Sequence, residues 1–158
     1  MRDTDVTARI WIDADSCPTR VREVIARAAE RVGGEAVFVA VKKPPLPRLS
    51  AVTFLPAGDQ IADDVIVERI GPDEIAITRD IPLAARLVEK GACVMNDRGD
   101  TFTTENIRER LSIRDFMHEA RIAGIAQEGE RSFGAREVKA FASAFDRELM
   151  KIVKKNQR

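Results

Sequence analysis

The stretch WIDADSCPTRVREV, residues 11–24, decides the fold. An apolar run closes on two aspartates, Asp13 and Asp15, and a proline then opens a pattern of helical period. Residues 8–13, ARIWID, are apolar without strict alternation, which suits a strand covered on both faces. Pro18 fits a first helical turn, where its missing N–H costs nothing. Val21, Val24, Ile25, Ala28 and Val32 then share one face, and Gly33-Gly34 ends the helix. A strand followed at once by a helix that covers it is the start of a strand–helix–strand unit.

The same alternation continues along the chain. AVFVAV (36–41), AVTFL (51–55), EIAIT (74–78) and CVMN (93–96) read as further strands. KKPPLPRL (42–49) is a proline-stiffened loop. ADDVIVERI (62–70) reads as helix, because Ala62, Val65 and Ile66 share a face and the two aspartates suit a helix start. Pro82 opens another helix, with Leu83, Ala84, Leu87 and Val88 inward and Gly91 closing it. The expected fold is α/β: a three-layer sandwich around a mostly parallel five-stranded sheet of order 3-2-1-4-5.

Residues 1–158 read as one domain, with 112–158 as a helical C-terminal part. Ser112 and Asp115 suggest a capping box opening a helix with Ile113, Phe116, Met117 and Ala120 inward, closed by Gly124. AQEGERSFG (126–134) is polar and reads as a mobile loop. The last helix carries Val138, Phe141, Ala142, Phe145, Leu149 and Ile152 at helical spacing.

Composition narrows the class. Of 158 residues, 44% are hydrophobic and 33% charged, as in a soluble globular chain. Lys plus Arg and Asp plus Glu number 26 each, so nucleic acid could be held only by a local basic patch. Two cysteines, Cys17 and Cys93, imply no disulfide framework and no zinc unit. No run is long enough to span a membrane, and the polar N-terminus resembles no signal peptide. The expectation is a reduced, cytoplasmic protein.

In an open parallel sheet the ligand crevice lies beyond the carboxyl ends of the strands. Asp13, Asp15, Asp80 and Asp97 all stand at or just past strand ends, and Asp63 opens a helix at the same edge. Singly, each acid can cap a helix or shape a turn. Together they repel one another unless a cation sits among them, and magnesium and manganese favour such oxygen ligands. Metal ligands are therefore expected among Asp13, Asp15, Asp63, Asp80 and Asp97, with Asp13, Asp15 and Asp80 catalytic. Ser16, Thr78, Lys42, Arg79 and Arg98 could bind the ligand or orient a carboxylate. A bound Mg2+ or Mn2+ suggests phosphodiester or phosphomonoester chemistry. Cys17 at a helix N-terminus would have a lowered thiol pKa, but no base accompanies it: His118, the one histidine, falls in a later helix and reads as a surface residue. Arg20 and Arg22 read as solvent-facing.

Asp13-x-Asp15 resembles the nucleophile motif of haloacid-dehalogenase-like phosphatases, though Cys17 stands where Thr or Val is usual. A longer resemblance is carried by IWIDADSCP (10–18), Ala62-Asp63, ITRDIPLAARLVEKGA (77–92), NDRGDTFTTENIRERL (96–111) and RDFMHEAR (114–121). On these blocks the chain resembles the bacterial YaiI/YqxD family, also called UPF0178 or DUF188. That resemblance implies a PIN-like or NYN-like fold holding a divalent metal in a strand-end acidic cluster, here Asp13, Asp15, Asp63, Asp80 and Asp97. The resemblance establishes no activity; the acids and metal point to metal-assisted hydrolysis of a phosphodiester in single-stranded RNA, with a phosphomonoesterase acting on a phosphorylated small molecule and a non-catalytic RNA- or ligand-binding protein as the alternatives. The chain departs from the family at Gln60, where an acid is usual, and at 126–130, where AQEGE replaces Thr-Gly-Gly-Pro.

Overall fold

The computed structural model describes residues 6–58, 60–125 and 132–157. The chain alternates β1 (Arg9–Asp13), α1 (Thr19–Val32), β2 (Glu35–Ala40), β3 (Val52–Pro56), α2 (Ala62–Arg69), β4 (Ile75–Ile77), α3 (Ile81–Glu89) and β5 (Cys93–Met95). A short β6 (Thr101–Phe102) and helices α4 (Ile107–Ile122) and α5 (Ala135–Asn156) follow. The sheet runs β3-β2-β1-β4-β5-β6, parallel throughout except for the β5–β6 pair.

Period-two side-chain alternation divides the sheet between two cores. Ile10, Ile12, Phe38, Ile75, Ile77 and Met95 face α1 and α5. Trp11, Val37, Val39, Ala76 and Val94 face α2 and α3. Phe38, Phe141 and Phe145 are fully buried in the first core, each contributing roughly 1.5–3 kcal/mol of burial. Trp11 keeps its indole N–H satisfied by donating to Glu74 Oε1 at 2.9 Å. Gly33 ends α1 in the left-handed region, φ +73°.

Three expectations need correction. The sheet has six strands, not five. A turn held by the Asn96 side chain, whose Oδ1 accepts from the backbone N–H groups of Arg98 and Asp100 at 2.9 Å, folds Thr101–Phe102 back onto β5. Two residues are too few to leave a periodic signal. The helix expected to open at Ser112 begins at Ile107. Thr103 and Asn106 exchange hydrogen bonds just ahead of it, Thr103 N–H to Asn106 Oδ1 at 2.8 Å and Asn106 N–H to Thr103 Oγ1 at 3.1 Å. Ser112 therefore lies mid-helix. Finally, α4 packs on α3 through its first turn, and Ile113, Phe116 and Met117 face outward at 53%, 69% and 37% exposure. Of the expected inward set only Ala120 is buried.

The helical reading of residues 62–70 and the helix at Pro82 match α2 and α3. The expected loop at 126–134 lies outside the described residues as far as residue 131, as does Asp59 beside Gln60. Among the described residues no helix is long and apolar enough to cross a membrane.

Candidate functional site

The chain passes from β1 to β2 on one side of the sheet and reaches β4 on the other. The carboxyl ends of β1 and β4 therefore flank the point where strand order reverses, the usual place of a crevice. Asp13, the last residue of β1, is buried there at 6% exposure. Its Oδ2 accepts two hydroxyl donors at 3.0 Å, Thr78 Oγ1 from the end of β4 and Ser16 Oγ from the turn after β1. Burial pushes the Asp13 pKa up; the two hydroxyls oppose the shift, and Asp15 and Asp80 add to it.

Thr78 connects two of the acids. It donates to Asp13 and accepts the backbone N–H of Asp80 at 3.0 Å. Asp80 in turn caps α3, its Oδ1 accepting from Leu83 N–H at 3.0 Å. Asp63, in the first turn of α2, reaches the same place. Its pKa is pushed up to about 6 by burial, then by the charges of Asp80 and Asp13 and a hydrogen bond with Asp80, while Arg86 pulls it down. Arg86 itself pairs with Asp64 at 3.0 Å. Asp15 is exposed in the turn Ala14–Ser16 and adds its charge to that of Asp13.

Of the remaining sequence candidates, Asp97, Arg79 and Arg98 have other side-chain partners. Asp97 is buried, and its Oδ2 is held by Arg79 Nε at 2.6 Å and Nη2 at 2.5 Å. Each of the two residues is thus engaged by the other. Arg98 reaches the far side of the same turn, donating to the Ser132 carbonyl at 2.8 Å. The guanidiniums of Arg79 and Arg98 lie 5.8 and 5.3 Å from the Phe133 ring centroid, a cation–π arrangement that sequence reading missed. Lys42 is exposed just past β2.

Two expectations near Asp13 are overturned. Cys17 is buried, and that burial pushes its thiol up to about 12 rather than down. Arg22 is not solvent-facing: it is buried and donates to the Cys17 carbonyl at 2.5 Å and to Thr19 Oγ1 at 2.9 Å. It thereby ties the turn after β1 to the first turn of α1. His118 is exposed, as expected.

Among the described residues no three His, Cys, Asp or Glu side chains form a ready ion cage. Asp63 and Asp80 do share a hydrogen bond, with Asp13 electrostatically coupled to both. One or two carboxylates with water completing the shell is the ligand set magnesium prefers. The chemistry of these residues therefore fits a hydrated hard ion better than a fully protein-coordinated one.

The profile of a family described as "Uncharacterized BCR, YaiI/YqxD family" (DUF188) matches residues 11–151. A UPF0178 protein of Myxococcus xanthus is 47% identical over 148 residues, covering 92% of this chain and 97% of that protein. One of Vibrio vulnificus is 45% identical over 148 residues, covering 92% and 99%. One of Treponema denticola is 43% identical over 146 residues, covering 92% and 94%. No solved structure matches. The chain belongs to the YaiI/YqxD (UPF0178) family.

Proposed function

We propose that this family member is a divalent-metal-dependent phosphodiester hydrolase acting on single-stranded RNA, with the strand-end arrangement of PIN-like and NYN-like nucleases. The observation that carries the proposal is the meeting of Asp13, Asp63 and Asp80 from three separate segments at the switch point, with Asp13 and Asp63 both raised in pKa. A raised carboxyl pKa means that the ionised form is under-compensated by its surroundings, and a bound cation would relieve this.

Asp13, Asp63 and Asp80 would hold Mg2+ or Mn2+, with Asp15 and Asp97 further out. When bound, such an ion lowers the pKa of a coordinated water and neutralises charge on a phosphoryl oxygen. Ser16 and Thr78 fix the Asp13 carboxylate by two hydrogen bonds and so set its orientation toward the crevice. Asp63, its pKa raised to about 6, can store and release one proton near that pH. Arg79 keeps Asp97 neutralised, and Lys42 and Arg98 would contact flanking phosphates.

The test is incubation with manganese, labelled single-stranded RNA and DNA, and a panel of phosphomonoesters, with Asp13→Asn and Asp80→Asn as controls. RNA cleavage by the parent and by neither variant is expected. Phosphate release from monoesters alone would make the protein a phosphatase with Asp13 as nucleophile. Binding of RNA or ligand without turnover would make it a binding module.

A further inference from the structure

The loop after β2, Lys42 to Leu49, carries three cations and no acid. It leaves the sheet at the edge that holds Asp13, since Asp13 pairs in register with Val39 near the end of β2. It returns to the opposite edge, where β3 begins at Val52. Pro44, Pro45 and Pro47 fix φ at three of its eight positions and keep it from forming helix or ladder. A groove opens on each side of it. One, of about 490 Å³, lies between the loop and Thr19, Glu23 and Arg27 of α1. The other, of about 550 Å³, lies between the loop and Val52 and Phe54 of β3.

The charge of this strip is strongly one-sided. Lys42, Lys43, Arg27 and Arg48 are exposed, as is Arg20, which shares the α1 face of Glu23 and Arg27 by helical spacing. None of the five forms an ion pair among the described residues. Several exposed cations elsewhere are paired with acids, as in Arg31–Asp146, Arg86–Asp64 and Lys155–Asp73. In a chain of net charge zero, five cations beside two acids, Glu23 and a Glu30 engaged by Ser50 and Ala51, repel one another and attract a polyanion. The half-buried ring of Phe54 faces the groove under the Lys43 ammonium, 6.0 Å from its centroid.

We propose that this strip is the track on which a single-stranded nucleic acid lies before it enters the crevice at Asp13. The proposal rests on the nucleic-acid reading above and deepens it. The cations take the phosphates, and Phe54 with the proline rings offers flat apolar faces on which bases stack. A duplex presents no free base face, and a membrane surface would not enter a recessed groove.

The experiment is fluorescence anisotropy of labelled 12-mers of single-stranded RNA, single-stranded DNA and blunt duplex, in EDTA so that no cleavage intervenes. The parent should bind single strands with micromolar affinity at low salt and duplex several-fold more weakly. Lys42→Glu/Lys43→Glu should weaken single-strand binding by roughly tenfold or more, and should flatten the plot of log affinity against log salt by about 1.4, at about 0.7 per phosphate contact. Phe54→Leu should weaken binding by about fivefold or more through lost stacking. Lys154→Glu, exposed on α5, should stay within about twofold of the parent, a control for the general field. The RNA and DNA arms show whether the sugar is read. Double-variant affinity within twofold of the parent, preferred duplex binding, or no binding by the parent would overturn the track. Binding of single strands by the parent in EDTA with no RNA cleavage by the parent in manganese would count against the hydrolase and leave the track standing.

Discussion

Asp63 in the first turn of α2 and Asp80 at the cap of α3 share a hydrogen bond, although both are carboxylates. Two such groups can do this only when one keeps its proton. The burial of Asp63 and the nearby charge of Asp13 add to the effect and bring its pKa to about 6.

This pair sets a stability profile. An acid with a raised folded pKa binds its proton more tightly folded than unfolded, so stability falls as pH rises from 3.8 to about 6 and stays low above. Asp63→Asn removes the titrating group. The variant should match the parent near pH 4 and exceed it in urea unfolding near pH 7.5. A variant no more stable than the parent at neutral pH would show that the pair carries no such cost.

Metal affinity should follow the same proton. A divalent ion must displace it, so apparent Mn2+ affinity should rise as pH rises toward and past about 6, with proton release detectable by calorimetry in buffers of differing ionisation enthalpy. Asp13→Asn should lose most of the binding, and Asp63→Asn should lose the pH dependence. Equal Mn2+ binding by parent and Asp13→Asn would place the ion elsewhere, and circular dichroism must show both to be folded.

Among the described residues, Arg79 and Asp97 form the one ion pair at this edge whose acid is buried, with side-chain exposures of 49% and 4%. Arg79→Met leaves that carboxylate uncompensated. It should destabilise the protein by about 2–4 kcal/mol in urea melts, discounted from the fully buried case because the arginine is half in solvent. Asp97→Asn, which removes the charge instead of stranding it, should cost less.

Gly99 should not tolerate a side chain. Its φ is +92°, and an added Cβ would meet the Ala140 carbonyl and the Ala144 methyl at 3.1 Å. Gly99→Ala should cost about 1–3 kcal/mol, in thermal melts, by straining the turn that carries Asp97 and lifting α5 off it.

Phe116 and Phe145 look alike in sequence, each on an apolar helical stripe. Phe145 is buried and stacks on Phe141 at 5.3 Å, whereas Phe116 is 69% exposed. Phe145→Ala should cost about 3–5 kcal/mol and Phe116→Ala less than about 0.5. Comparable losses in urea melts would return α4 to the inward placement that its pattern suggests.

The parallel sheet, its order from β3 to β5, and the strand-end placement of Asp13, Asp80 and Asp97 could be read from residues alone. Apolar runs and helix punctuation are local, and the handedness of strand–helix–strand connections leaves few topologies. The pattern RDFMHEAR could not say which way α4 faces, because periodicity shows that a stripe exists and not whether the fold covers it. Nor could the helical spacing of Arg22 reveal that its guanidinium closes the turn after β1.

The chain by itself thus determined which residues end the strands, since that depends on neighbours in sequence. Tertiary structure alone decided which acids interact. Asp63 joins Asp80 because α2 and α3 cover the same face of the sheet. Asp97, equally well placed at a strand end, is neutralised by Arg79 and withdrawn from the group. Charge coupling depends on separation in space and on burial, and both are set only when the helices dock.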